Sequence, residues 1–138
     1  MMNRYYFLFA VLILLSIGCK TNRPSAGASD KDLVIEAMKK INQDDIIYNI
    51  RIFPNKELME NAASFSQNMM YQVDSCFYLS DGLKKVYPLS AEYIPGGVAK
   101  SFEYMVTFEK NKASSADDFI LFYQDKYINK RNYQLLFK

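Results

Sequence analysis

Six segments of alternating apolar and polar residues, separated by short polar or Pro/Gly-containing turns, predict a mainly β chain folded as an antiparallel, immunoglobulin-like β-sandwich. Two stretches of helix-forming composition, before and after the first of these segments, add one or two short helices near the N-terminal side. Size agrees with this class. With residues 1–18 set aside, 120 residues remain, enough for one domain with its own core.

Residues 1–18 are set aside for a physical reason. Arg4 sits beside the free amine, an apolar run follows over 5–15, and small residues come next. A basic start, a short apolar stretch and a small-residue cleavage site make a signal peptide. The run is too short for a spanning helix, which needs about 20 apolar residues. The stretch Leu15-Ser16-Ile17-Gly18-Cys19 resembles the lipobox of bacterial lipoproteins in the relaxed form of Bacteroidota-type bacteria, with Ser16 where leucine is usual and Leu15 one step further out. The resemblance implies cleavage between Gly18 and Cys19 and a diacylglycerol on the Cys19 thiol. It also implies an acyl chain such as palmitate on the new amine. One acyl chain binds a bilayer only reversibly, whereas two or three anchor it. This covalent lipid is the only non-protein group expected.

Residues 19–30 carry no large apolar side chain and read as the lipidated cysteine and a flexible tether, so the domain is expected over 31–138. No acidic run follows Cys19, which in the lipoprotein resemblance implies an outer-membrane protein facing the periplasm. Residues 31–42 predict a helix capped by Asp30 or Asp32, with Leu33, Val34, Ala37, Met38 and Ile41 on one face and Lys39 and Lys40 in its last turn. Residues 46–53 alternate as a strand that ends at Pro54. A second helix is expected at 56–67 by propensity, with Leu58, Met59, Ala62 and Phe65 together.

From Met70 the chain reads as β. Tyr71, Val73, Ser75, Phe77 and Leu79 form one face, Ser80-Asp81-Gly82 turns, and a short strand at 85–89 carries the edge residue Pro88. Pro95-Gly96 suits a type II turn. The cleanest strand is 100–109, with Phe102, Tyr104, Val106 and Phe108 on one face. Strands at 119–127 and 133–138 form a hairpin around 129–132.

Composition narrows the chemistry. The formal charge is +2 and falls to near neutral once Arg4 leaves with the signal, so no basic face for nucleic acid is implied. With Cys19 acylated, Cys76 has no partner within the chain for a disulfide and reads as a small buried hydrophobe, the alternatives being an intermolecular bridge or a reactive thiol. There is no histidine, so neither a Ser-His-Asp nor a Cys-His arrangement is available, and no Cys/His zinc spacing exists. Asp44-Asp45 and Asp117-Asp118 precede apolar strands and read as solvated turn residues rather than a hydrolytic carboxylate pair. No calcium-loop spacing appears, and Gly96-Gly97 opens no helix, so it cradles no phosphate.

The aromatic residues remain. Nine tyrosines follow Cys19, more than a small sandwich can bury with every hydroxyl satisfied. Tyr78, Tyr87, Tyr93 and Tyr127 are the candidate binding face. The expected function is non-enzymatic: a membrane-anchored envelope lipoprotein that docks a protein partner within a multiprotein complex. The alternative is a ligand-binding module for glycan, peptide or an inhibited enzyme. In shape, a small lipidated sandwich with a helix resembles the outer-membrane lipoprotein of type VI secretion systems.

Overall fold

A computed structural model describes residues 24–113 and 118–137. Gly18, Cys19 and Asp117 lie outside the described residues. The chain is mainly β, as expected, with two antiparallel sheets. The larger holds β1 (Ser25–Ser29), β2 (Leu33–Ile41), β3 (Asp45–Pro54), β6 (Ser90–Tyr93) and β7 (Phe102–Glu109), in the order β1-β2-β3-β7-β6. The smaller holds β4 (Phe77–Ser80), β5 (Lys85–Val86), β8 (Ile120–Gln124) and β9 (Asn132–Leu135), in the order β5-β4-β8-β9. Between β3 and β4 run α1 (Lys56–Glu60), a 3₁₀ turn at Ala62–Ser64, α2 (Ser66–Tyr71) and a second 3₁₀ turn at Asp74–Cys76.

Period-two patterning builds the core. Ile46, Tyr48, Ile50 and Ile52 of β3 are buried, as are Phe102, Tyr104, Val106 and Phe108 of β7, while the residues between them are half-buried on the outer face. Phe77 and Leu79 of β4 and Leu121 and Tyr123 of β8 face them from the smaller sheet. The Phe77 and Tyr104 rings meet across the sheets at 5.6 Å.

Four expectations change. The segment expected as a helix at 31–42 is strand β2: Leu33, Ile35 and Ala37 are buried while Val34, Glu36 and Met38 are exposed. Pairing with β1 and β3 on its two sides overrides the helix-forming Ala, Met, Glu and Lys. The tether expected over 19–30 is sheet from Ser25 onward, because β1 pairs with Val34 to Met38 through its backbone. The ordered sheet therefore begins before residue 31. The helix expected at 56–67 is broken into short pieces and extends to Tyr71, so the strand expected from Met70 begins only at Phe77. Residues 90–93 form β6, and the strand expected at 85–89 contracts to two residues.

The helical segment starts where Pro54 leaves β3. The Asn55 side chain caps α1 by accepting from the Leu58 N–H at 2.9 Å. Its inward residues, Phe65, Met69, Val73 and Cys76, close one end of the core. The Met69 carbonyl accepts a 2.7 Å hydrogen bond from the buried Tyr104 hydroxyl. Burial pushes the Cys76 thiol up to about 11, which keeps it protonated and unreactive.

Two aspartates hold the same end. Asp125 is buried; its carboxylate accepts from the Tyr123 hydroxyl at 2.8 Å and from the N–H groups of Ile128, Asn129 and Lys130 in the β8–β9 connection. Asp30 keeps a capping role, but in the turn before a strand: it accepts from the N–H groups of Asp32 (2.8 Å) and Leu33 (2.9 Å). Its other oxygen accepts from the Tyr133 hydroxyl at 2.7 Å and pairs with Arg131 at 2.8 Å. This clasp ties the β1–β2 turn of one sheet to β9 of the other.

Strand register sorts the connections between two poles. At the clasp pole lie the β1–β2 turn, the helical segment, the loop over 94–101 and the β8–β9 connection. At the N-terminal pole the chain enters at Pro24, whose carbonyl accepts from the Lys39 N–H at 2.9 Å. The β2–β3 turn, the β4–β5 turn and residues 110–113 share that pole, joined by Lys110 N–H to the Asp44 carbonyl (2.9 Å) and Lys84 Nζ to the Lys112 carbonyl (3.3 Å).

Asp30 carries a pH signature. Burial alone would raise its carboxyl, but hydrogen bonds from Leu33, Tyr133, Asp32 and Arg131 outweigh it and hold the group well below the usual carboxylate range. A carboxyl depressed on folding stabilises above its unfolded value, about 3.9, and loses that contribution as pH falls toward the folded value. Asp30→Asn is therefore expected to lower stability at pH 7 by on the order of 1 kcal/mol. Urea unfolding at several pH values checks this: the gap between wild type and variant narrows below about pH 4.

Candidate functional site

On the outer face of the smaller sheet, alternation places Tyr78 between the inward Phe77 and Leu79, and Phe122 between the inward Leu121 and Tyr123. Register sets Tyr78 opposite Phe122, and Phe122 opposite Gln134. The Tyr78 and Phe122 rings stack with planes 5° apart and centroids at 5.1 Å. Tyr87, just beyond β5, lies on the other side of Tyr78 at 6.2 Å. Lys85 reaches back so that Nζ stands 4.3 Å from the Tyr78 ring centroid, a cation–π contact.

The result is an aromatic row, Tyr87–Tyr78–Phe122, running across the strands on a sheet face. Tyr78 is only 7% exposed because its neighbours and Lys85 cover it, whereas Tyr87 is 57% exposed. A partner would meet Tyr87 first, over a supporting layer already packed in place. Polar side chains flank the row at Ser80, Gln124 and Gln134.

Two of the four candidate tyrosines thus come together and two do not. Tyr93 closes β6 and packs on the rings of Phe102 (6.4 Å) and Tyr104 (6.1 Å). Tyr127 donates to the Gln72 carbonyl at 2.7 Å and fastens the helical segment. Both make contacts within the fold. Phe122 and Lys85 join the row without having been candidates. The alternation around Tyr123 could have revealed Phe122; Lys85 depends on a cross-strand neighbour that no local pattern shows.

The larger sheet has a different outer face. A row of charges, Glu36–Arg51–Glu103, crosses β2, β3 and β7. Arg51 Nε pairs with Glu103 at 2.9 Å, and the same Glu103 oxygen accepts from the Val98 N–H at 2.9 Å. Glu103 also fills the space where a Cβ on Gly97 would stand, so the loop over 94–101 is moulded to it. Gly96 takes φ +80, as the expected Pro95-Gly96 turn requires. An open cavity of about 460 Å³ lies here, lined by Met38, Asn49 and Ile94 as well as the charges. The two glutamates are two strand spacings apart, roughly 10 Å at their backbones. Arg51 stands between them in the strand register and pairs with Glu103.

The remaining candidates are dispersed. Asp44 and Asp45 line an open hollow with Glu109 and Lys110 at the N-terminal pole, and Glu109 is paired with Lys112 at 2.7 Å. Asp118 is exposed. Among the described residues no three His, Cys, Asp or Glu side chains are grouped so as to hold a metal ion. The chain matches no protein-family model, no curated protein and no solved structure.

The row separates support from contact, and stability should follow that division. Tyr78→Ala is expected to cost about 2–3 kcal/mol, since it empties a covered site between Phe122 and Tyr87. Tyr87→Ala is expected to cost less than about 1 kcal/mol. Equilibrium urea unfolding of the two variants measures both, and equal costs would contradict the layered arrangement.

Proposed function

We propose that this chain is a membrane-anchored envelope lipoprotein, held by acyl chains on Cys19, that docks a protein partner through the outer face of its smaller sheet. In this reading it works without catalysis, on the periplasmic side of the outer membrane, as an assembly part of a multiprotein envelope complex such as a secretion machine. The observation that carries it is the Tyr87–Tyr78–Phe122 row. Tyrosine over a pre-packed aromatic layer presents large contact area with little side-chain entropy left to lose, a feature of interface anchors. The row lies on a sheet face and takes no part in the 460 Å³ cavity of the larger sheet, which suits a protein surface better than a small ligand.

A second reading is favoured by that cavity: a ligand-binding module whose Arg51, Asn49 and Met38 contact a small or extended ligand. The two readings place the working residues on opposite sides of the sandwich.

Crosslinking in cells, followed by affinity purification of the full chain through a C-terminal tag and mass spectrometry, separates them. The docking reading expects envelope-complex subunits with the wild type, reduced at least about tenfold by Tyr87→Ala. Arg51→Ala is expected to leave recovery unchanged. Cys19→Ala is expected to yield a folded protein that no longer sediments with membranes. Recovery of the wild type with its lipid but alone contradicts stable docking.

A further inference from the structure

We infer that the N-terminal pole rests on the lipid surface, with the β4–β5 turn inserting Leu83 into it. This rests on the proposed acylation of Cys19 for the anchor but is argued from the geometry of the domain.

The tether is short. Pro24 is already fixed to Lys39, so five peptide steps separate the sheet from Cys19. Fully extended, they reach roughly 18 Å. Through Lys39, Pro24 stands level with Tyr48 of β3, about 10 Å from that strand's start at Asp45 and about 20 Å from its clasp end at Pro54. An acylated Cys19 therefore brings the pole where the chain enters nearest the bilayer, whereas contact at the clasp pole would need more than the full extension of the tether.

That pole is shaped for lipid contact. Leu83 is 99% exposed, so the fold makes no use of its side chain. The turn that presents it is nonetheless well defined. Asp81 Oδ1 accepts from the N–H groups of Leu83 (2.9 Å) and Lys84 (2.7 Å), Ser80 Oγ accepts from the Gly82 N–H at 3.1 Å, and Gly82 takes φ +93. Ile41, Leu89 and Leu136 are further exposed aliphatic residues at the same end.

Lysines surround them. Lys84 adjoins Leu83 and bridges to the carbonyl of Lys112, two residues from Lys110, while Lys85 is turned onto the Tyr78 ring. The acids of this pole are Asp44, Asp45, Asp81, Glu109 and Asp118. Asp81 caps the turn, Glu109 pairs with Lys112, Asp44 and Asp45 line the hollow that Lys110 shares, and Asp118 is exposed. An apolar tip with flanking lysines suits the boundary between headgroups and acyl chains: the aliphatic side chain enters and the ammonium groups stay at headgroup level. The two sets of contacts, acyl chains and turn, would fix the orientation of the domain and turn the clasp pole away from the membrane.

The chain has no tryptophan, so a single one can report depth. The full chain carrying Leu83→Trp, and separately Tyr71→Trp at the clasp pole, is reconstituted in phosphatidylethanolamine–phosphatidylglycerol vesicles with and without brominated acyl chains. Both positions are exposed, where substitution usually costs little. The expected result is emission from Leu83→Trp quenched at least about twofold by brominated lipid, with Tyr71→Trp unaffected. Equal quenching at the two positions, or none at 83, overturns the inference. Intact-mass measurement of the same samples reads acylation of Cys19 separately. A chain that lacks lipid yet is quenched at 83 refutes the anchor and keeps the pole; a lipidated chain not quenched at 83 does the reverse.

Discussion

The fold depends on giving hydrogen-bond partners to two tyrosine hydroxyls placed inside its core. Tyr104 and Tyr123 are fully buried on facing sheets, where an unpartnered hydroxyl would cost a few kcal/mol. Tyr104 donates to the Met69 carbonyl and Tyr123 to Asp125. Burial pushes both phenols well above their ordinary range, so they remain neutral donors. Because Met69 belongs to the helical segment and Asp125 to the β8–β9 connection, satisfying these two hydroxyls fixes both pieces at one pole. The Asp30–Arg131–Tyr133 clasp joins them there. The helical segment over 55–76 gathers at the clasp pole, while the other pole keeps the chain's point of arrival at Pro24.

This asymmetry explains what was legible in the sequence. Strands β3 and β7 are flanked on both sides by other strands and bury one face completely, so their alternation is clean and both were readable. Strand β2 alternates equally well through Leu33, Ile35 and Ala37, but its Ala, Met, Glu and Lys residues suit a helix, and only the distant partners β1 and β3 decide. Ser25 to Ser29 has no large side chain to signal a strand; its order comes from backbone pairing along β2, and no local pattern could reveal it. Residues 70–76 mix both periods, and the demand of Tyr104 for a carbonyl favours the helical course.

The candidate site was legible in half. Tyr78 and Tyr87 were suggested by an excess of tyrosine over what a small core can hold. Tyr93 and Tyr127 were spent internally, one on core rings and the other on the Gln72 carbonyl. Phe122 and Lys85 acquire their roles from cross-strand neighbours. The two outer faces that result differ in kind. One is an aromatic row with an exposed tyrosine on a packed base; the other is a charged row whose arginine and glutamate largely satisfy each other. A lipid anchor behind a short tether would leave both faces standing beside the membrane rather than against it.

The central claim is that the aromatic row of the smaller sheet, and not the charged cavity opposite, meets the protein partner. Photocrosslinking in intact cells tests it directly, with a benzophenone amino acid placed at Tyr87 in one strain and at Asn49 in another. The account predicts a discrete higher-mass adduct from position 87 and none from position 49. An adduct from position 49 alone would contradict it and assign the working surface to the larger sheet.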